Sequence, residues 1–422
     1  MEAGKKKVAG KGSYRDRIRP PSQAFNYFLK VALLPFLWLI YAFHWDARAI
    51  KGVKPPFLVI ANHDMNLDPF FVEVGFRKPA YIMSSEHLFR IKPLRFLLLN
   101  LVAAIPKTKA QADSTAIRAF LDGKRLGYPL LVFPETGGRN WGGQTSPVIP
   151  STAKLVKLLK IPVVACIMEG AYFTTPRWGF YRRRGRLIAR YHLALTAEEA
   201  ATLPEAGILA RLQASIDHDD NLWQLRNLEQ GKGIVYRGSK RAEAIERSLY
   251  ACPKCGTLRA LRSEKHAFSC TVCGFGGTID RYGLIDGTAA IRDYTTAVHG
   301  ILVQRLDEHL RDAAPDADFL TAPMRCWTSH RHEEMRLIAQ GELHLTRDRL
   351  WFAATDGGRV DVPIPEIRGI TCFHAHILEF VLQDCVYRII LDDRHASVRL
   401  WQDAVKRLAD LAKGGDSGII EE

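Results

Sequence analysis

The stretch Leu58–Phe71, LVIANHDMNLDPFF, decides the fold. An apolar run suited to a buried strand stops at Asn62 and His63. Asp68 follows five residues after the histidine, with Pro69 directly behind it. On a helix, five residues set two side chains about 140° apart, so His63 and Asp68 meet only if a turn brings them together. The pattern predicts a strand, then a turn, then a helix with Asp68 as its N-cap and Pro69 at its first position. A neutral imidazole is the usual base for a hydroxyl proton near pH 7, and a carboxylate can fix its tautomer and steady the imidazolium.

The pattern repeats outward from this stretch. Residues 57–62, 80–85, 129–135 and 161–168 read as short buried strands, and AIPK (104–107) as a short extended piece. Between them lie helical stretches, RIKPLRFLLLNLVA, STAIRAFLDGKRLG with Ser114 as cap, and STAKLVKLLK. Strands alternating with helices predict an α/β domain, a mostly parallel sheet flanked by helices, with its site at the strand C-terminal ends. His63, Lys107 and Glu135 all fall at such ends. The loop FPETGGRN places Glu135, Thr136, Gly137, Gly138 and Arg139 together. Glycines let backbone N–H groups approach an anion, and an arginine can grip a phosphate in a fork. Lys107 and Lys109 add a cationic surface.

The motifs NHDMNLD, FPETGGRN and IPVVAC, in that order, resemble three motifs of the glycerolipid acyltransferase family, which includes the lysophosphatidic acid acyltransferases. The resemblance covers about residues 50–216. It implies direct transfer of an acyl group from an acyl-CoA or acyl carrier protein thioester to a hydroxyl of a lysophospholipid or glycerol phosphate. His63 would be the base and Asp68 its orienting partner. Arg139 and Lys107 would hold the acceptor phosphate, with Asn62, Glu135, Thr136 and the Gly137–Gly138 backbone shaping its pocket. The chain departs from the family pattern in two places. Thr136 stands where glycine follows the glutamate, which sets Arg139 four positions on instead of three, and the second motif offers lysines in place of arginine.

Eight cysteines occur, four of them as Cys252-x2-Cys255 and Cys270-x2-Cys273, each pair followed by glycine. Two such pairs suit a four-thiolate structural Zn²⁺ site and resemble the zinc ribbon. The remaining four cysteines are scattered, which excludes a disulfide scaffold and points to a reducing compartment. About two dozen residues bury little core, so the metal would supply folding energy.

The chain has 422 residues and a formal charge of +14, which implies an anionic partner. The leading segment GKKKVAGKGSYRDRIRP is basic. Residues 24–45 are apolar and aromatic but interrupted by Lys30 and Pro35, and they lack the cleavage pattern of a secretory signal. They predict a membrane-associating helix on the cytoplasmic side, lying in one leaflet or passing once through, against an anionic surface. The cluster RWGFYRRRGR (177–186) lies in the catalytic region and suits headgroups, an acidic carrier protein or a thioester's phosphates. The capped stretch 196–216 closes the catalytic domain, and GSKRAEAIERSLY reads as a polar helical linker. Beyond about residue 290 the sequence alternates like strands, with hairpin turns at Asp356–Gly358 and Asp392–Asp393, and ends in an amphipathic helix with Trp401. That pattern resembles a pleckstrin-homology or GRAM-type barrel.

The expected domains are a basic segment and membrane helix (1–50), the acyltransferase domain (51–238), a linker with the zinc ribbon (239–280) and the β-rich domain (281–422). Two other readings remain open, a catalytically silent membrane scaffold on the same fold and a zinc-ribbon nucleic-acid adaptor. The paucity of basic residues in the ribbon argues against nucleic acid.

Overall fold

The computed structural model describes residues 19–65, 67–85, 88–89, 92–107, 114–136, 139–330, 334–373 and 375–414. The basic segment 1–18, Lys109 and the Gly137–Gly138 pair lie outside them.

Chain order in the first region is α1 (Gln23–Tyr41), β1 (Phe43–Asp46), β2 (Leu58–Ala61), α2 (Asp68–Glu73), β3 (Tyr81–Ser85), α3 (Lys92–Leu97), β4 (Ala104–Lys107), α4 (Ser114–Arg125), β5 (Leu130–Val132), α5 (Ser151–Leu159), β6 (Val163–Glu169), α6 (Ala171–Thr174) and β7 (Leu187–Leu195). Helices α7 (Ala197–Thr202), α8 (Glu205–Ile216) and α9 (Asp220–Glu229) follow. The seven strands form one sheet in the order β1-β7-β6-β2-β5-β3-β4. Pairing is parallel throughout except between β6 and β7. This is the α/β sheet that the alternating pattern predicts. β2 is the central strand and all four of its residues are buried, as a strand covered by helices on both faces requires.

α1 runs unbroken through Lys30 and Pro35, which the sequence reading took as interruptions. Its 19 residues span about 28 Å. It ends at Tyr41, where Ala42 adopts a left-handed conformation, and the chain continues as β1 beside β7. The helix therefore stops short of residue 45. Lys30 points inward, its Nζ 2.7 Å from the Phe76 carbonyl. Asn26 donates to the Glu73 carboxylate at 3.0 Å. With both polar groups turned toward the domain, the outer face keeps Tyr27, Phe28, Val31, Phe36, Trp38 and Leu39 exposed.

The ribbon strands β8 (Leu261–Glu264), β9 (Ala267–Cys270) and β10 (Gly276–Thr278) make a small antiparallel sheet. The stretch expected as a helical linker contains one short 3-10 turn, Ile245–Arg247, and its residues 244–250 are buried. Its polar groups are satisfied by distant partners: Ser263 donates to Glu246, Arg247 donates to the Arg394 carbonyl, and the Ser397 hydroxyl donates to the Arg247 carbonyl. Those tertiary bonds override the local preference for a helix.

α10 (Ile291–Asp312) opens the last region, a 22-residue helix that the strand-like reading missed. Strands β11 (Leu320–His330), β12 (Arg336–Leu345), β13 (Arg349–Ala353), β14 (Arg359–Pro363), β15 (Arg368–Phe373), β16 (Ile377–Leu382) and β17 (Cys385–Leu391) then form an antiparallel sheet in the order β14-β13-β12-β11-β17-β16-β15. α11 (Val398–Ala412) closes it, burying Val398, Leu400, Trp401, Val405 and Leu408. Seven antiparallel strands and a closing helix match the expected barrel-like module. The turn at Asp356–Gly358 joins β13 to β14, with Gly357 at φ 84°. Asp392–Asp393 makes no hairpin; it leads from β17 into α11.

One cluster of buried side chains runs from Trp141 and Tyr172 through Tyr250 and Phe268 to Phe380 and Trp401.

Candidate active site

β2 ends at the site. The Asn62 side chain pins this end to β6 through both of its groups: Oδ1 accepts from the Met168 N–H at 2.7 Å, and Nδ2 donates to the Met168 carbonyl at 3.2 Å. Asn62 is buried by these bonds and braces the strand end. His63 comes next. Its Nδ1 lies 2.9 Å from Asp68 Oδ2. A carboxylate oxygen accepts, so Nδ1 carries the proton and the Nε2 lone pair is left available. The His63 side chain is 42% exposed and that of Asp68 fully buried. The dyad thus has one end fixed in the protein and the other open.

Asp68 is the first residue of α2; its N-cap is Leu67. The expected cap is therefore displaced by one position. Oδ2 instead gathers the turn before the helix, accepting from the Asp64 and Met65 N–H groups at 2.8 and 2.9 Å. One oxygen therefore shapes the turn and orients the imidazole.

The His63 backbone is held as well. Its N–H donates to Glu135 Oε1 at 2.6 Å, while Glu135 Oε2 accepts from the Ser146 N–H at 2.6 Å. Its carbonyl accepts from Asn140 Nδ2 at 3.3 Å, and its ring lies against Phe133 with centroids 4.4 Å apart. Glu135 reaches this position from the end of β5, the strand beside β2. Both of its oxygens are spent on backbone, so it braces the loop at His63. Burial pushes its carboxyl up to about 7, against the pull of the two N–H bonds. The Thr136 N–H donates to the Pro147 carbonyl at 3.0 Å.

Arg139 opens the turn Arg139–Gly142 and directly precedes Asn140, whose side chain reaches the His63 carbonyl. Lys107 ends β4, the edge strand, three strands from β2, or about 14 Å at the usual strand spacing. The side chains of Arg139 and Lys107 lie outside the described residues.

Sequence reasoning missed Asp64, Asn140, Arg177 and Asp220. Asp64 sits inside the motif, and its carboxyl is pushed well above the usual range by burial and then by the negative charges of Asp220, Glu135 and Asp68, with Arg177 opposing. Asp220 ties the start of α6 through the Gly170 and Tyr172 N–H groups at 2.6 and 2.9 Å. The cluster 177–186, expected to face an outside anion, is partly used within the protein. Arg177 donates to the Cys372 carbonyl at 2.8 Å, Arg183 is buried, and Arg184 donates to the Leu39 carbonyl at 2.7 Å.

The second site is the cysteine cluster. The Sγ atoms of Cys252, Cys255, Cys270 and Cys273 all lie within 4.8 Å of one another. The Cys252–Cys273 and Cys255–Cys270 pairs are 3.6 and 3.8 Å apart. A tetrahedron with bonds of 2.3 Å to zinc has edges of about 3.8 Å, so the donor set fits the ion. The two knuckles are alike. Gly256 and Gly274 sit at φ 69° and 70°, and each donates its N–H to the carbonyl of the first cysteine of its pair. The left-handed conformation explains the glycine after each pair.

The central strand of the α/β sheet thus ends in a histidine fixed by a buried carboxylate. Residues 45–169 match the family model described as Acyltransferase; this part of the chain is an acyltransferase domain, and the protein is an acyltransferase. A similar solved structure is the crystal structure of the 1-acyl-sn-glycerophosphate (LPA) acyltransferase PlsC from Thermotoga maritima. It is 17% identical with a TM-score of 0.36, covering 49% of this chain and 78% of that one. No curated protein matches the sequence.

Proposed function

We propose that the protein moves a fatty acyl group from an acyl-CoA or acyl carrier protein thioester to a hydroxyl of a lysophospholipid or glycerol phosphate at a membrane surface. The observation that carries this reading is the His63–Asp68 dyad, 2.9 Å across, with its imidazole exposed on the far side. The acceptor hydroxyl gives its proton to His63 Nε2 as its oxygen attacks the thioester carbonyl. Asp68 steadies the imidazolium through Nδ1. The carbon–sulfur bond then breaks, and the departing thiolate takes the proton from Nε2. Arg139 grips the acceptor phosphate from a turn bonded to the His63 carbonyl. Lys107, on the edge strand, contributes at longer range.

α1 supports a membrane site. By length and composition it could cross a membrane. Asn26, Leu37 and Tyr41, spread along its length, are buried against the domain, which favours a helix lying in one leaflet with its aromatic face down. The four thiols favour the cytoplasmic face, where they stay reduced and hold Zn²⁺ as a structural ion. The ion would supply folding stability and take no part in transfer.

The test is to incubate the purified protein with oleoyl-CoA, oleoyl carrier protein and a panel of lysolipids, and to seek diacyl product by mass. His63→Ala should lower turnover about a hundredfold or more without loss of fold. Retention of a tenth of wild-type turnover would refute the base assignment.

A further inference from the structure

The turn that carries Arg139 and Asn140 is enclosed by the C-terminal half of the chain. Trp141 is 2% exposed. Two guanidinium groups lie against its ring, Arg177 at 5.4 Å and Arg399 of α11 at 5.8 Å from the centroid. Its carbonyl accepts from the Ser248 hydroxyl at 3.2 Å and from Tyr172 at 3.4 Å. Arg399 also donates to the Ser248 oxygen at 3.5 Å and pairs with Asp403 at 3.3 Å. Gly142 packs so closely on α10 that an added Cβ would stand 3.0 Å from the Arg292 Cα. Ser248 and Arg292 precede and follow the ribbon in sequence, and Arg399 lies beyond the last strand, yet all three converge on four residues of the acyltransferase domain.

We infer that the ribbon and the C-terminal module buttress the Arg139–Gly142 turn, and that Arg399 is a positioning residue for acceptor binding, acting through Trp141. The catalytic part of this statement rests on the functional reading above. The physical logic is that a surface turn bearing a phosphate-gripping arginine loses affinity if it must be ordered at each binding event. Here Trp141 is held at its ring by two guanidinium groups and at its carbonyl by two hydroxyls, so the turn is ordered beforehand. Through Asn140 the same turn holds the His63 carbonyl. The module that resembles a docking barrel thereby has a second use inside the enzyme.

The experiment uses full-length protein carrying Arg399→Ala, Arg399→Lys or Ser248→Ala. The first reading is amide hydrogen exchange over residues 139–143. Arg399→Ala should exchange about tenfold faster there, Ser248→Ala about fivefold faster, and Arg399→Lys close to wild type, the sizes expected for a lost contact or hydrogen bond. Unchanged exchange in Ser248→Ala and Arg399→Ala overturns the buttress, and Ser248→Ala decides the matter if Arg399→Ala does not fold. The second reading is kinetic, with 1-oleoylglycerol 3-phosphate and oleoyl-CoA as probes. KM for the lysolipid should rise about fivefold in Arg399→Ala, with KM for oleoyl-CoA unchanged. Faster exchange with both KM values unchanged overturns the positioning role. If wild type does not turn over these probes, the functional reading fails, and hydrogen exchange alone judges the buttress.

Discussion

Glu135→Gln should separate the two consequences of burying Glu135 beside His63. In the native protein both carboxyl oxygens accept from backbone N–H groups, each at 2.6 Å, from His63 and Ser146. Glutamine has the same shape but offers one acceptor and one NH2 group. Whichever way the amide turns, one N–H faces another donor, and an unmade buried hydrogen bond costs about 1–3 kcal/mol. Against this stands the cost of the native charge. Burial raises the carboxyl from its ordinary 4.5 to about 7. The folded state therefore holds the proton more tightly than the unfolded chain. This contribution to stability is fully present below about pH 4.5 and is lost as pH rises through 7. The full gap is worth about 3 kcal/mol. Glu135 as a residue is only partly buried, so we take about 2 kcal/mol as the working figure.

The variant has no such titration. It should be about 1–3 kcal/mol less stable than wild type at pH 5, and this deficit should shrink by about 2 kcal/mol at pH 8. Groups remote from Glu135, including the buried Glu73, which is also raised to about 7, act alike in both proteins and cancel. Asp64, which the Glu135 charge helps to raise, is relieved in the variant and narrows the deficit in the same direction as pH rises. Urea unfolding of the pair at the two pH values measures the difference. A deficit that stays constant with pH, or grows, would refute the reasoning. Turnover at pH 8 should fall about tenfold or more even where stability is nearly restored, because the His63 N–H has lost its anchor and a small displacement of a base is costly.

Metal analysis of the purified protein should give about one zinc per chain, and Cys255→Ser should lower both zinc content and melting temperature; a metal content near zero in wild type would refute the ribbon site. Arg139→Ala should raise KM for 1-oleoylglycerol 3-phosphate about tenfold, while Lys107→Ala, on the edge strand, changes it about threefold or less. The reverse order would move the phosphate site toward β4. Phe28→Glu with Trp38→Glu, on the outer face of α1, should cut partitioning onto phosphatidylserine-containing vesicles about tenfold or more, as the loss of two apolar anchors implies; unchanged partitioning would show that another surface makes the contact.

What the sequence revealed was whatever local pattern encodes. Buried strand runs, the proline after Asp68, the two Cys-x-x-Cys pairs and the alternating terminal strands each reflect chemistry within a few residues. The failures share a different cause. Glu246, Arg247 and Ser248 look like a solvated helix, but their partners lie in the ribbon, at Arg394 and at Trp141. Arg177 and Arg183 look like a surface charge run until the carbonyls of Cys372 and Arg241 are seen to accept from them. Lys30 reads as a break in an apolar helix because nothing nearby discloses the Phe76 carbonyl that receives it. α10 buries Ile291, Thr295, Val298, Leu302 and Leu306 at helical spacing, a short periodic run inside a region whose remaining residues alternate like strands. Polar residues whose partners are remote in sequence carry no local signal of burial.

The altered glutamate loop illustrates how much a local departure can be absorbed. An extra residue between Glu135 and Arg139 would ruin the site if the loop acted as a rigid template measured from the glutamate. The contacts show a different constraint. Glu135 points back to the His63 N–H, Asn140 returns to the His63 carbonyl, and Asp68 holds the side chain from the other direction. Three elements, from β5, from the 139–142 turn and from α2, thus converge on one residue. What the contacts fix is the arrival of Glu135 at the His63 N–H and of Asn140 at the His63 carbonyl. The position of His63 is over-determined, whereas the phosphate grip proposed for Arg139 would depend on one turn whose support comes from outside the acyltransferase sheet. Substitutions in the C-terminal half should therefore change acceptor affinity before they change the chemistry at His63.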